Sequence, residues 1–563
     1  MKRKYSRGDW MPPIALGAIV FCSATVVWLS LATPSAQTAD GSFVAGDRVV
    51  ALVRTPVKDG PDGEQVLALP LPGGQGTIEQ GPRSAGGELW WRVAFDEGFA
   101  GWTRESDLKV QEAGVKAFPT AEGFGAKALG GRGGAVIAVT NLNDDGPGSL
   151  RHAVEQAGPR TIIFRVGGTI KVHRPIRIRD PYITIAGQTA PGDGILIRNL
   201  PVNEEPPLTV ETHDVVIRHL RLRPGPSDEP SCCVDALGLM EGARNVMIDH
   251  VSLSWGVDEN LGASGDARDF TIQWSVLSEA LRRGGHAKDE RHSRGLLVSP
   301  EDGGGNVSIH HNLFAHNEGR NPEVALTYGV ADIVNNVLYN PNFRMIEVSE
   351  ANAKPYANVV GNIMRNGENT KINNPHINNH IVRARDLEDG AREGFVMYVV
   401  GNIDELFRTS DTMPEEVSLI EEDRRFLATE RQPAPFVATT LAERAYIDVL
   451  EGAGATLPRR DAVDERIIEE VYDREGEVID HPNEVGGWPR LANGTPPVDT
   501  DHDGMPDDWE QKLGLDPHDP ADCNGDVTGN GYTNLEDYLN ELAGDIRISR
   551  PGDSASLKVE RQG

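Results

Sequence analysis

A chain of 563 residues with a formal net charge of −30 is too long for one ordinary core and too acidic for a nucleic-acid binder, which needs a basic face for phosphate. An anionic polymer would be repelled overall, so a bound cation or a local arginine cluster has to attract any such ligand. The sequence holds 62 Gly and 37 Pro, a turn-rich composition, and four cysteines (Cys22, Cys232, Cys233, Cys523) whose spacing implies no disulfide framework.

At the N-terminus, Lys2, Arg3, Lys4 and Arg7 precede an apolar run from Ile14 to Ala32. This predicts a secretory signal over residues 1–39 or an uncleaved membrane anchor, and either one exports the bulk of the chain: secreted, periplasmic or anchored outside the cytoplasm. From 44 to 111, short apolar runs alternate with Gly/Pro/Asp turns and end in ELWWRVAFDEGFAGWTRESDL. The pattern resembles a bacterial Src-homology-3-like β-barrel, in which Trp90, Trp91 and Trp102 form the core or, alternatively, a platform for stacking glycans.

Residues 117–491 carry internal repetition, which decides the fold. Ile248, Ile272, Ile309, Ile333 and Val359 align at steps of 24, 37, 24 and 26 residues. One coil of a parallel β-helix accounts for the shorter steps, and a loop insertion for the long one. Asn312, Asn336, Asn362 and Asn402 follow three residues behind the aligned aliphatic positions and predict a stacked amide ladder. The expected fold is therefore all-β: a right-handed parallel β-helix with a small β-barrel before it, its inward Ile, Val and Leu forming a core despite a mean hydropathy of −0.38. A charged helix over Ala462–Asp473 is expected to pack on the end of the solenoid.

A small acidic helical module is predicted over 497–542, followed by a tail at 543–563. Asp499, Asp501, Asp503, Gly504, Asp507 and Glu510 fall at positions 1, 3, 5, 6, 9 and 12 of a twelve-residue loop, the oxygen-ligand layout of an EF-hand calcium site. Asp526, Thr528, Asn530, Gly531, Asn534 and Asp537 repeat that spacing with weaker ligands. The pair resembles dockerin or thrombospondin-type-3 calcium loops.

Several ordered motifs between 117 and 491 resemble polysaccharide lyase family 1, in particular its pectate trisaccharide-lyase branch: AFPTAEGFGAKALGGRGG, VTNLNDDGPGSLRHAVE, TIAGQTAPGDG, NVMIDHVSLSWGVDE, GRNPEV and GATLPRRDAVDERI. The resemblance implies cleavage of an acidic polysaccharide, polygalacturonate above all, by calcium-dependent β-elimination, and the chain is expected to be a monomer. Asp235 and Asp258 match the family's calcium aspartates. Where relatives have a further carboxylate this chain has Gly262, with Glu259 as a substitute ligand. Arg320 matches the catalytic arginine. Because a guanidinium is ordinarily always protonated, it serves as base only in unusual surroundings and otherwise as an electrostatic stabiliser. Arg294, Lys288 and Arg344 are the candidate contacts for substrate carboxylates.

One departure stands beside Arg320: Glu323 and Ala325 occupy the region where relatives carry a second arginine. Asp249, His250 and His311 fall in the repeat register and read as structural, whereas His286 and His292, in the inserted loop, are candidates for the cleft. A hydrolase on this fold would need clustered acidic pairs that the later coils lack. A non-catalytic carbohydrate-binding or adhesion β-helix remains the competing class, separable from the lyase by whether unsaturated products form.

Overall fold

The computed structural model describes residues 43, 48–51, 53–70, 74–95, 98–110, 115–231, 233–287, 291–300, 304–342, 345–349, 356–370, 380–385 and 395–548. Three parallel sheets wind around one axis, each coil adding a strand to each sheet in turn. Among the described residues the first sheet has ten strands, from Ala135–Val139 to Val396–Val400, and the second and third have eight each, from Gly168–Val172 to Ile363–Arg365 and from Ile176–Ile178 to Val382–Arg385. The stacked aliphatics of the sequence repeat form the register itself: Ile248, Ile272, Ile309, Ile333, Val359 and Val399 pair in succession. They belong to a single inward-facing core that runs from Val139 to Phe426.

The turn from the first to the second sheet carries the predicted ladder. Asn312, Asn336 and Asn362 donate their side-chain amides to the next asparagine's carbonyl oxygen at 3.0, 2.9 and 2.9 Å, ending on Asn402. The preceding turn position is left-handed in every one of these coils: His219, His250, Trp274, His311 and Asn335 have φ of 53, 50, 48, 53 and 53° before Gly361 and Gly401 take over. That conformation disfavours residues with a Cβ. Here the coil repeat stacks the rings, with centroids 4.9 Å apart for His219–His250, 6.2 Å for His250–Trp274 and 4.4 Å for Trp274–His311. His250 and His311 thus belong to the stack.

The helix over Ala462–Asp473 forms as the sequence predicts, but its position differs from expectation. Val463, Ile467 and Val471 pack with Val276, Leu313 and Val337 on the outer flank of the second sheet rather than on the end of the solenoid. The reason lies in that sheet, which presents apolar residues on both faces and so needs a cover. Buried Arg223 fixes the helix start, donating to Asp464 at 2.7 Å and to Asp461.

The described residues of 48–110 form a seven-stranded antiparallel sheet. Trp90, Trp91 and Trp102 are only 6, 2 and 5% exposed, so they fill its core and offer no stacking platform. Residues 497–548 are seated on the first sheet: Met505, Trp509, Leu513, Leu535 and Leu539 pack on Ala186 and Val136. Arg132 holds Glu536 at 2.8 Å, and Arg218 bridges Asp249 and Asp545, each at 2.8 Å. Among the described residues no helix is long and apolar enough to cross a membrane, and the run from Ile14 to Ala32 lies outside them.

Candidate active site and a second acidic cluster

The candidate site lies where the second sheet turns into the third. Asp235 precedes the strand Leu237–Leu239, Glu259 opens Glu259–Ala263, Arg294 opens Arg294–Val298, and Arg320 precedes Glu323–Val324. Stacking of coils therefore brings together side chains that are far apart in sequence. Glu259 pairs in register with Arg294, which bridges Gly319 on the next coil.

Carboxylate oxygens of Asp235, Asp258 and Glu259 lie within 4.8 Å of one another. The Glu259 backbone N–H donates to Asp235 Oδ1 at 2.9 Å. Burial and the adjacent Asp258 charge push the Asp235 carboxyl well above its usual range, against the opposing pull of His292 and Arg320. Carboxylates crowded this way form a donor set whose repulsion a divalent cation relieves, and their residue types fit such a cation. The glycine at 262 has a local cause: a Cβ there would stand 2.2 Å from Asp235 Oδ2, so this Asp235 conformation leaves no room for a carboxylate-bearing side chain.

Arg320, at φ 57°, spans two acids. Its Nη1 contacts Glu259, and its Nε donates to Glu323 Oε2 at 2.9 Å. Glu323 pairs in register with Glu347, and Glu347 with Arg383. Arg294 is buried and donates to the His292 carbonyl at 2.6 Å. His286 and His292 both reach Asp258: their Nε2 atoms stand 3.4 and 3.0 Å from its Oδ1. Lys288 and Arg344 lie outside the described residues. Asp249, by contrast, is built into the scaffold. It accepts from Arg218 Nε and Gln273 Nε2 at 2.8 Å each, and although burial alone would raise its carboxyl, His250 and Arg218 hold it far below the usual range.

No protein-family model matches the chain. The Aspergillus flavus protein named "Probable pectate lyase C" is 37% identical over 432 residues, covering 76% of this chain and 94% of that protein. This chain belongs to the pectate lyase family. The Aspergillus fumigatus protein of the same name is 36% identical over 436 residues, covering 76% and 93%. Among solved structures, jun a 1, the major allergen from cedar pollen, aligns with a TM-score of 0.43 and 18% identity over 59% of this chain and 92% of that one. The protein is a polysaccharide lyase.

The lyase holds a second acidic cluster against its first sheet. Oxygens of Asp499, Asp501 and Asp503 fall within 4.8 Å of one another, as do those of Asp503, Glu510 and Asp522. Both Glu510 oxygens and one oxygen each of Asp499, Asp501, Asp503 and Asp522 are buried without a hydrogen-bond partner. Burial first, then mutual repulsion, pushes Asp503 up to about 7 and Glu510 up to about 8. Bare, buried oxygens of this kind fit a hard divalent cation. Asp507 stands apart, accepting from the Thr500 backbone N–H at 2.8 Å and its hydroxyl at 2.7 Å.

Asp522, which sequence spacing does not reveal, joins from a short turn beyond the loop. The second loop differs, because its donors and acceptors satisfy one another. Asp537 accepts from Thr528 at 2.8 Å and from Asn530 at 2.9 Å, and Asp526 accepts from the backbone N–H groups of Asn530 and Gly531 at 3.2 and 3.0 Å.

Proposed function

We propose that the lyase cleaves polygalacturonate by calcium-dependent β-elimination in the cleft of Asp235, Asp258, Glu259 and Arg320. The convergence of three carboxylates beside one guanidinium carries this reading. In a 4-linked uronate the C5 proton is α to a carboxylate and the leaving oxygen is on C4, so proton removal builds enolate charge. Calcium bound between the enzyme's acids and the substrate carboxylate would neutralise part of that charge. Asp235, Asp258 and Glu259 are the residues that would hold it.

Arg320 supplies the second cation. Its planar fork, oriented by Glu323 at Nε, donates toward the enolate as it forms. Carboxylates on two sides hold the guanidinium as a fixed donor, and this supports Arg320 as stabiliser in preference to the role of base that the family resemblance implies. Arg294, Lys288 and Arg344 are assigned to substrate carboxylates farther along the polymer.

Asp499, Asp501, Asp503 and Glu510, joined by Asp522, hold a separate structural calcium. Asp526, Thr528, Asn530 and Asp537 form a weaker second loop, and Asp507 serves as a brace within the first. Incubation with polygalacturonate and calcium is expected to generate unsaturated products that absorb in the near ultraviolet. An unchanged absorbance with polygalacturonate, beside a rise with another uronide, would move the substrate assignment to that uronide.

A further inference from the structure

The inserted loop of the sequence repeat places two imidazoles, which a calcium site does not use, against Asp258 of the candidate site. His286 and His292 stack with ring centroids 4.1 Å apart and planes 9° from parallel. Both direct Nε2 at the same oxygen, Asp258 Oδ1, at 3.4 and 3.0 Å. The two side chains are only 7 and 9% exposed. Their backbones are fixed from either side of the loop. Ser231, four residues before Asp235, bridges His286, and it accepts from the Ala287 N–H at 3.2 Å while donating to Gly285 at 3.1 Å. The His292 N–H donates to the Arg282 carbonyl at 2.7 Å, and that of Ser293 to Leu281 at 3.1 Å. Glu259 Oε1 is next in line, 3.7 Å from His292 Nε2.

Ligand atoms on one first-row metal lie roughly 2.0–2.1 Å from it, and near tetrahedral or octahedral angles this puts neighbouring ligand atoms about 3.0–3.4 Å apart. The His–Asp separations fall in that interval. Calcium takes six to eight oxygens and gains little from nitrogen, whereas imidazole suits zinc, nickel and cobalt. We infer that His286, His292 and Asp258 form a second metal site, selective for a borderline first-row divalent cation of the zinc class. It shares Asp258 with the oxygen set of Asp235 and Glu259. Occupancy of the two sets is therefore coupled: a zinc-class ion that draws Asp258 toward the imidazoles weakens the calcium set, and zinc inhibits the lyase in a manner that excess calcium relieves. The coupling rests on the calcium reading of the cleft, but the metal site itself does not.

Cobalt(II) reports on nitrogen ligation directly. Titrated into the full-length protein without calcium, which would compete through Asp258, Co(II) is expected to give visible d–d absorption that Zn(II) abolishes on displacement. The His286→Gln/His292→Gln double variant should lose this absorption while keeping its melting temperature. Should that variant not fold, the single His286→Gln variant should bind Co(II) at least about tenfold more weakly. The same absorption in the histidine variants, or none in the parent protein, would overturn the site and leave the contacts as ordinary His–Asp hydrogen bonds. That outcome is read without substrate, so it is distinguishable from a failure of the lyase reading, which shows as missing unsaturated products in calcium alone.

Discussion

Arg320 illustrates how a single residue depends on its neighbours. Its left-handed backbone aims the guanidinium between Glu259, two coils earlier, and Glu323 three residues ahead. A lysine would keep the charge but not the fork that serves Nη1 and Nε at once. Arg320→Lys is expected to lower kcat on polygalacturonate by about 100-fold with KM changed little, because the lost interaction is made mainly to the developing enolate. The melting temperature should stay near that of the parent, since Arg320 is partly exposed and ties no core elements together. A large fall in melting temperature with a modest kinetic loss would instead assign it to holding the coils.

At the scale of the element, the asparagine ladder joins successive coils through groups that have no access to water. Asn336 accepts from Asn312 and donates to Asn362 and to the Ile309 carbonyl, the last at 2.8 Å. Asn336→Leu would leave several of those buried partners without a mate, each costing about 1–3 kcal/mol. A loss of about 2–4 kcal/mol is expected in chemical denaturation, with relaxation of the coil lowering the upper figure. The second-sheet helix follows the same logic on an outer face. Asp464 accepts from Arg223 and from Ser252, so a charged helix face seals against the sheet without stranding a charge.

For the whole molecule, the acidic cluster is expected to fasten residues 497–548. Arg165 donates to Asp499 at 3.3 Å, linking the cluster to the early coils. Without a cation, the raised carboxyls of Asp503 and Glu510 mean that the folded state binds more protons than the unfolded chain above the ordinary carboxylate range. Stability in chelator should therefore fall as pH rises from that range toward about 8 and level off beyond it. Added calcium should recover the loss, with its largest effect on melting temperature near pH 8 and little near pH 5. A melting curve in chelator that is flat across this window would remove the cluster from the fastening role.

Much of this architecture is written locally. The aliphatic period is the register of the first sheet, the asparagines at constant offset are its ladder, and the helix over Ala462–Asp473 was legible from its charge pattern. Periodicity transmits such features because each coil meets only its neighbours. The convergence of Asp235, Asp258, Glu259 and Arg320 was legible only through family motifs, since no local rule joins residues that different coils supply. Asp522 entering the acidic cluster and Asp507 leaving it for Thr500 were not legible at all, and of the two imidazoles only their place in the inserted loop was, not their convergence on Asp258. Each depends on where a loop lies across its neighbours. The sequence by itself determined the solenoid, because repeating contacts repeat in the chain. Tertiary structure decided the sites, because side chains from separate coils meet there at distances that only the packed coils set.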